Sequence, residues 1–306
     1  MKVTALAGGV GGAKLLIGLH ELVEPGALTA VVNTGDDAEI YGVHISADVD
    51  IVTYWLAGIA DRARGWGIEG DTFTILAALE QLGLEAWFRL GDRDFATCLY
   101  RTHRLREGSV LSEITAEVAR QLGVPASIIP MSDGPVRTRI TTADGRELQF
   151  QEYFVRERTE PEVVAVDFAG IEQATPAPGV IEAIENADRV VICPSNPIVS
   201  IGPILAIRGV REALRRHPSV VAVSPIIRGS ALKGPADRLL TSLGLRSTAS
   251  GVAELYGDFC NTFVVDNTDA SEAAKVEAAG MPAATIDTIM IDDASSTSLA
   301  AGLLGL

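Results

Sequence analysis

The sequence has few of the residues that would place it in several common functional classes. Only three cysteines occur in 306 residues, without a CxxC pair, and the four histidines show neither metal-ligand spacing nor a nucleophile partner. No disulfide framework or zinc site is therefore expected, and Cys98, Cys193 and Cys260 should be buried as small apolar residues. The G-x-S-x-G elbow typical of serine hydrolases is also absent. The histidines are His20, His44, His103 and His217.

Basic residues and long apolar runs are scarce as well. Lys and Arg number 25 against 40 Asp and Glu, for a formal charge of −15. Such a surface repels polyphosphate backbones, so we expect no nucleic-acid partner. No stretch approaches the roughly 18 to 20 apolar residues of a membrane span, and the N-terminus does not resemble a signal peptide. We therefore expect no membrane association and a cytoplasmic location, with anionic ligands attracted locally by backbone N–H groups or a cation.

What the sequence does contain is a repeated order of apolar run, polar turn and amphipathic helix. This order predicts an α/β fold with a mostly parallel sheet and helices on both of its faces. The predicted strands are Val3–Ala7, Leu28–Val32, Arg189–Cys193, Val220–Val223 and Thr262–Val265. The predicted helices are Ala13–Leu22, Pro203–Arg216, Ala236–Leu243 and Ala270–Ala279.

The middle of the chain, roughly residues 60 to 160, breaks this alternation. Asp71–Leu82 and Ser112–Leu122 have helical periodicity, with Asp71 and Ser112 as N-caps. Val136–Thr142 and Arg146–Val155 flank an Asp-Gly turn and predict a hairpin. We therefore predict one domain over residues 1–306, in which an inserted helical and hairpin subdomain covers the sheet as a lid.

The first predicted strand leads into Gly8-Gly9-Val10-Gly11-Gly12-Ala13-Lys14. Glycines between a strand and a helix allow backbone N–H groups to approach a phosphate closely. The spacing matches neither the dinucleotide fingerprint nor the Walker A loop. We assign phosphate binding to Gly9, Gly11, Gly12 and Lys14, with the alternative that the glycines serve only a tight turn and close packing.

Four aspartates follow the second strand. Asp36 and Asp37 end an Asn-Thr-Gly-Asp-Asp turn, and Asp48 and Asp50 come shortly after. Clustered carboxylates repel one another unless a cation or a proton intervenes, and carboxylate oxygens suit Mg²⁺ shared with phosphates. We predict Asp36 and Asp37 as Mg²⁺ ligands, and Asp48 and Asp50 as catalytic residues that face one substrate together from an extended loop. The alternative is that these residues are turn formers and N-caps.

Two later loops and one arginine complete the predicted site. Ser195 and Asn196 follow the third strand and Ser224 follows the fourth, so we assign all three to nucleotide binding. Arg89 is predicted to close over a planar ring or a phosphate, because guanidinium groups suit stacking and bidentate contacts. The alternative for this segment is structural: Asp92 caps the next helix and Arg93 covers its surface.

With these motifs the sequence resembles the CofD family, the 2-phospho-L-lactate transferases of coenzyme F(420) biosynthesis, along essentially its whole length. Two positions depart from the usual family pattern: Ala47 stands where proline is usual, and Cys98 where histidine is common. The motifs that carry the resemblance are Gly8–Lys14, Asn33–Asp37, Trp66–Ile68, Leu90–Asp94, Pro130–Asp133, Phe150–Glu152, Pro194–Pro197, Gly202–Ile204 and Ser224–Ile227.

The resemblance implies a Rossmann-like core, Mg²⁺ dependence and a homodimer. It implies transfer of a phospho-three-carbon acid, 2-phospho-L-lactate or phosphoenolpyruvate, from a guanylyl-activated diphosphate to the ribityl hydroxyl of the deazaflavin Fo, with release of GMP. By position, Asp50 and Arg89 match the family's Fo-contacting residues. The sequence leaves the donor acid open, and two alternatives stand: a UDP-sugar-binding regulator of the same superfamily, and a non-catalytic nucleotide-binding scaffold.

Overall fold

The computed structural model describes all 306 residues, and the predicted strands pair in one central sheet. Seven strands form this sheet in the order β14-β13-β10-β9-β1-β2-β5, and every pairing within it is parallel. The predicted parallel α/β architecture is confirmed, and β5 and β14 extend it at its two edges. The strands are β1 (Val3–Ala7), β2 (Leu28–Val32), β3 (Ala38–Ile40), β4 (Val43–Ile45), β5 (Ser127–Pro130), β6 (Arg137–Thr142), β7 (Glu147–Gln149), β8 (Val163–Ala169), β9 (Arg189–Ile192), β10 (Val220–Val223), β11 (Ile226–Ile227), β12 (Ser230–Ala231), β13 (Thr262–Asp266) and β14 (Ala283–Ile286).

Helices cover both faces of this sheet, because successive strand residues point to opposite sides and give each face its own apolar core. Ala5 packs with Leu16 of α1 in one core, and Leu6 packs with Ile204 of α7 in the other. None of the helices combines the length and apolarity needed to cross a lipid bilayer. The helices are α1 (Gly9–Leu22), α2 (Ala47–Leu56), α3 (Thr74–Gln81), α4 (Asp92–Arg106), α5 (Leu111–Gln121), α6 (Val180–Glu185), α7 (Ile201–Ala206), α8 (Val210–Arg216), α9 (Ala236–Ser242), α10 (Ala249–Tyr256), α11 (Ala270–Ala278) and α12 (Asp293–Gly305).

Three element boundaries differ from the prediction. Helix α1 begins at Gly9, so the glycines form its first turn rather than a loop before it. The predicted helix Pro203–Arg216 is two helices, interrupted at Gly209, whose φ of 89° is left-handed. The second hairpin strand ends at Gln149, because Phe150 and Tyr153 turn into a small separate core, and β8 pairs with the other side of β6. The three cysteines are buried and free, as predicted.

The predicted local N-caps at Asp71 and Ser112 are wrong, and so is the alternative of a cap at Asp92, because distant carboxylates cap these helices. Asp92 accepts hydrogen bonds from two backbone N–H groups in the first turn of α3, at 2.9 and 3.1 Å. Asp71, which lies before α3, accepts in turn from two N–H groups at the start of α4. Asp133 accepts from the N–H of Ser112 in α5, at 2.6 Å. The exchange between Asp71 and Asp92 fixes α3 against α4, the helix that carries Asp94.

Candidate functional site

A cavity of about 720 Å³ opens at the carboxyl ends of the central strands, where the loops after β1, β2, β9, β10 and β14 meet. Ligands of open α/β sheets bind at this edge. Most residues predicted for the site line this single cavity, whereas Gly12 and Asp37 lie behind its wall. The predicted residues that line it are Gly9, Gly11, Lys14, Asp36, Asp48, Asp50, Arg89, Ser195, Asn196 and Ser224.

The glycines at the start of α1 allow close packing between α1, β1 and the loop after β9. A Cβ on Gly11 would stand 2.6 Å from the carbonyl oxygen of Pro194, and one on Gly12 would stand 2.9 Å from the Cβ of Ala7. The N–H of Gly9 donates to Asp48 Oδ1 at 2.8 Å. The packing role that stood as the alternative is therefore present, and Gly9 and Gly11 additionally form the floor of the cavity.

Asp48 and Asp50 lie in the first turn of α2, so the predicted extended loop is wrong. Residues two positions apart along a helix point in different directions, and these two carboxylates make separate contacts. Asp48 accepts from Asn33 Nδ2 at 2.9 Å as well as from Gly9. Asp50 accepts hydrogen bonds from both terminal nitrogens of the buried Arg101 guanidinium. The two carboxylates reach the cavity from different sides.

Asp36 and Asp48 form a buried carboxylate pair at the cavity wall. The amide nitrogen Nδ2 of Asn33 donates to both, at 3.2 and 2.9 Å, and Asp36 Oδ1 has no hydrogen-bond partner. Burial raises the pKa of Asp48 to about 6. Burial, and then the charge of Asp48, raise the pKa of Asp36 well above its usual range. A divalent cation that prefers oxygen ligands would neutralise the charge of two buried carboxylates this close together, so the pair suits such a cation.

Of the two carboxylates predicted to hold Mg²⁺, only Asp36 faces the cavity. Both oxygens of Asp37 are engaged elsewhere: Ser46 Oγ donates to Oδ1 at 2.8 Å, and His44 Nε2 lies 2.9 Å from Oδ2. Asp37 therefore fixes the β3–β4 segment at the start of α2. The sequence showed no partner for His44, since the hairpin that brings it back to Asp37 is short and was not predicted.

Polar and cationic groups line the part of the cavity next to the glycines. Asn196 Nδ2 is buried and has no acceptor, whereas its Oδ1 accepts backbone N–H groups in its own loop. Lys14 Nζ and Lys233 Nζ donate only to backbone carbonyl oxygens, at 2.7 and 2.8 Å. Burial lowers the pKa of Lys233, and the charge of the nearby Lys14 lowers it further. Two cationic side chains therefore lie close together here, although the protein as a whole is strongly acidic. This part of the cavity can receive a phosphorylated ligand.

The hydroxyl groups of Ser195 and Ser224 shape the loops that carry them. Ser195 Oγ accepts from the N–H of Gly8 at 3.1 Å and donates to its carbonyl oxygen at 2.7 Å. Ser224 Oγ forms the same two kinds of bond with the backbone of Ile226. Both side chains line the cavity, and their bonds hold the loops after β9 and β10 in place.

Aromatic side chains also line the cavity. Phe150 and Phe154 stack with their ring centres 5.5 Å apart and their planes at 10°. Arg89 lies at the rim with its guanidinium 4.5 Å from the ring centre of Phe73, and no carboxylate pairs with it. This wall suits a flat ring system. Its aromatic members are Tyr54, Trp66, Trp87, Phe88, Phe150 and Phe154.

A buried polar cluster lies beneath the aromatic wall. Arg101 pairs with Asp50, and Tyr54 Oη donates to Asp94 Oδ1 at 2.9 Å. The charge of Asp50 raises the pKa of Arg101 even though burial opposes the charged form. Sequence reasoning missed Arg101 and Tyr54, which lie in helices without a motif, and treated Asn33 and Asp94 only as parts of motifs.

Comparison with known proteins decides the family. The family model described as 2-phospho-L-lactate transferase CofD matches residues 3–301. The chain belongs to the CofD family. It is 42% identical over 294 residues to the 2-phospho-L-lactate transferase of Methanosarcina mazei, a match that covers 96% of both chains. It is also 42% identical over 313 residues to the phosphoenolpyruvate transferase of Kitasatospora aureofaciens, covering 100% of this chain and 98% of that one.

The solved structures that resemble this CofD chain support its fold. A crystal structure of a member of the UPF0052 family from Bacillus halodurans superposes with a TM-score of 0.68 at 17% identity. The superposition covers 99% of this chain and 98% of that one. At this identity the likeness concerns the fold alone.

Proposed function

We propose that the protein transfers a phospho-three-carbon acid, 2-phospho-L-lactate or phosphoenolpyruvate, from a guanylyl-activated diphosphate to the deazaflavin Fo, in coenzyme F(420) biosynthesis. One observation carries the proposal: a single cavity joins an aromatic wall to a wall of glycines, lysines and a buried amide donor. The relatives named as transferases at about 40% identity over the whole chain favour this function over the UDP-sugar-binding alternative. The same names weigh against a non-catalytic scaffold.

The donor occupies the glycine side in this proposal. Lys14 and Asn196 Nδ2 contact the phosphates, because Lys14 has no carboxylate partner and Asn196 Nδ2 has no acceptor at the cavity wall. Asp36 and Asp48 would hold Mg²⁺, since Asp36 Oδ1 has no other partner and burial disfavours both charges. When bound there, Mg²⁺ would neutralise part of the diphosphate charge.

The acceptor occupies the aromatic side, with Arg89 closing over its ring system. Asp50 receives a hydrogen bond from the ribityl hydroxyl. Burial raises the pKa of Asp50, and the Arg101 guanidinium opposes this shift and fixes the carboxyl group in place. The hydroxyl oxygen attacks the phosphorus that bears the three-carbon acid. The bond from that phosphorus to GMP breaks, GMP leaves with the electron pair, and the hydroxyl proton passes to Asp50 or to solvent. Positioning and charge neutralisation provide most of the rate enhancement.

A transfer assay tests this function. Purified protein is incubated with Fo, Mg²⁺ and each of the two donors, and the masses of the products are measured. We expect the phospho-acid conjugate of Fo together with equimolar GMP from at least one donor. GDP binding without any conjugate would instead support the scaffold, and calorimetric binding of UDP-N-acetylglucosamine without Fo binding would support the regulator.

The homodimer and the cytoplasmic location expected for the chain belong to the same proposal. Sedimentation of the purified protein tests the dimer, and fractionation of cells that express it tests the location. A monomer at micromolar concentration, or recovery in the membrane fraction, would contradict these expectations.

A further inference from the structure

Helix α4 carries a buried carboxyl group, Asp94, to which the proposed function gives no role. Asp94 is 7% exposed and lies in the cavity wall next to the aromatic residues. Its Oδ1 accepts from Tyr54 Oη at 2.9 Å, and its Oδ2 has no protein partner. A Cβ on Gly67 would stand 3.9 Å from Oδ2, so the glycine leaves the space on that side open. The free oxygen is therefore open to the cavity that the aromatic residues also line.

No cation pairs with Asp94. The terminal nitrogens of Arg101 contact Asp50, the carbonyl oxygen of His44 and Cys98, and none of them contacts Asp94. Asp50 and Asp94 each place an oxygen within 4.8 Å of the other. Two buried carboxyl groups this close, of which only one is paired with a guanidinium, favour one ionised and one protonated member. Asp50 holds the cation, so Asp94 keeps the proton.

The position of that proton follows from the hydrogen bond to Tyr54. Because Oδ1 already accepts the tyrosine O–H, the acid O–H of Asp94 belongs to Oδ2 and points into the cavity. Burial, and then the charge of Asp50, raise the pKa of Asp94 to about 7. The groups around it are Asp50 and Tyr54 from α2, Cys98 and Arg101 from α4, and Asp71 from the loop before α3.

We propose that Asp94 contacts the acceptor substrate directly, donating its O–H to a carbonyl or ring nitrogen at the polar edge of the flat heterocycle, and that Tyr54 positions it. This inference rests on the proposed function, which places a deazaflavin against the aromatic wall. The pyrimidinedione edge of a deazaflavin presents such acceptors. A neutral acid can donate to them without adding charge to an acidic cavity, whereas the ionised form loses the donor and repels carbonyl oxygens.

Two substitutions of Asp94 test the contact. Asp94→Asn keeps the shape and a donor at every pH, whereas Asp94→Leu has a similar size and no donor. The dissociation constant of Fo is measured from its fluorescence, with that of GDP as a check that the fold and the donor side are intact. We expect Asp94→Leu to raise the Fo constant about tenfold to hundredfold, because it leaves a polar ligand group unpaired. The GDP constant should not change.

The pH profile isolates the proton of Asp94. Between about pH 6 and pH 8.5 we expect the wild-type Fo constant to rise about tenfold relative to that of Asp94→Asn, because the wild type loses its donor as it ionises. Ionisation of Fo itself enters both profiles equally and cancels in the ratio. The matched control is Glu107→Gln, which alters an exposed carboxyl group directly after α4 that does not line the cavity. It should bind Fo as the wild type does.

Tyr54→Phe tests the positioning role. The tyrosine O–H stabilises the ionised form of Asp94, so its removal should move the midpoint of the binding profile to higher pH. A residue that served only for packing would change the constant without moving the midpoint. An unmoved midpoint therefore refutes the role of Tyr54.

The outcomes separate this inference from the function on which it rests. Tight Fo binding by Asp94→Leu, or one shared pH profile for the wild type and Asp94→Asn, overturns the inference alone. A wild-type protein that fails to bind Fo overturns the proposed function as well. Selective weakening of Fo binding, with GDP binding intact, supports both.

Discussion

Replacing Arg101 by methionine should destabilise the protein strongly, although Arg101 does not line the cavity. The side chain is 2% exposed and makes a bidentate contact with Asp50, so Arg101→Met leaves a buried carboxylate without its cation. Breaking a buried ion pair in this way costs about 3–5 kcal/mol. For 306 residues, an unfolding entropy of about 2.1 cal/mol/K per residue amounts to roughly 0.6 kcal/mol/K, so the melting temperature should fall by about 5–8 °C.

Thermal melts and urea titrations at about pH 7.5 measure this loss, and a double-mutant cycle assigns it to the ion pair. Adding Asp50→Asn to Arg101→Met removes the stranded charge, so the double variant should be more stable than Arg101→Met alone. The control is Arg62→Met, which breaks a half-exposed pair with Asp293 and should leave the melting temperature within about 2 °C. A melting temperature for Arg101→Met within about 2 °C of wild type, or a double variant that loses the sum of the single losses, would refute this reasoning.

Three further results are expected. Mg²⁺ at a hundred times its dissociation constant should raise the melting temperature by about 4 °C. Asp36→Asn should stabilise the metal-free protein and abolish this response to Mg²⁺. If the variant responds to Mg²⁺ as the wild type does, Asp36 is not a metal ligand. Because burial raises the pKa of Asp94 to about 7, its stabilising contribution is complete below the unfolded value and is lost as pH rises through about 7; Asp94→Asn should flatten urea stability between about pH 5 and 8, by roughly 2.5 kcal/mol, and a slope equal to wild type contradicts the assignment. Lys14→Met should weaken GDP binding about tenfold and reduce its salt dependence in calorimetry, without changing Fo binding; equal loss for both ligands would place Lys14 elsewhere.

The sheet and the location of the site could be predicted because they depend on local signals. Apolar runs such as Val3–Ala7 and Leu28–Val32 are buried on both faces of a parallel sheet, and the polar turns after them converge at one edge. The sequence therefore predicts Asp36, Lys14 and Asn196 in one site, and all three line the cavity. The convergence is a geometric consequence of parallel strands.

The contacts that tune the site could not be predicted because their partners lie far apart in the sequence. Asp92 caps α3 and Asp71 caps α4, the reverse of what local spacing indicates. Arg101 reaches Asp50 across 51 positions, from a helix without any motif. The error at Asp48 has a local origin, because its polar surroundings indicate a loop although Ala47–Leu56 form a helix.

A crystal structure with Fo, GDP and Mg²⁺ bound together tests the central claim most directly. The account predicts the cation on Asp36 and Asp48, the guanosine phosphates beside Lys14 and Asn196, and the deazaflavin ring on the aromatic wall with its ribityl chain directed to Asp50. A ring bound outside this wall, or phosphates held away from both the aspartates and Lys14, would contradict it.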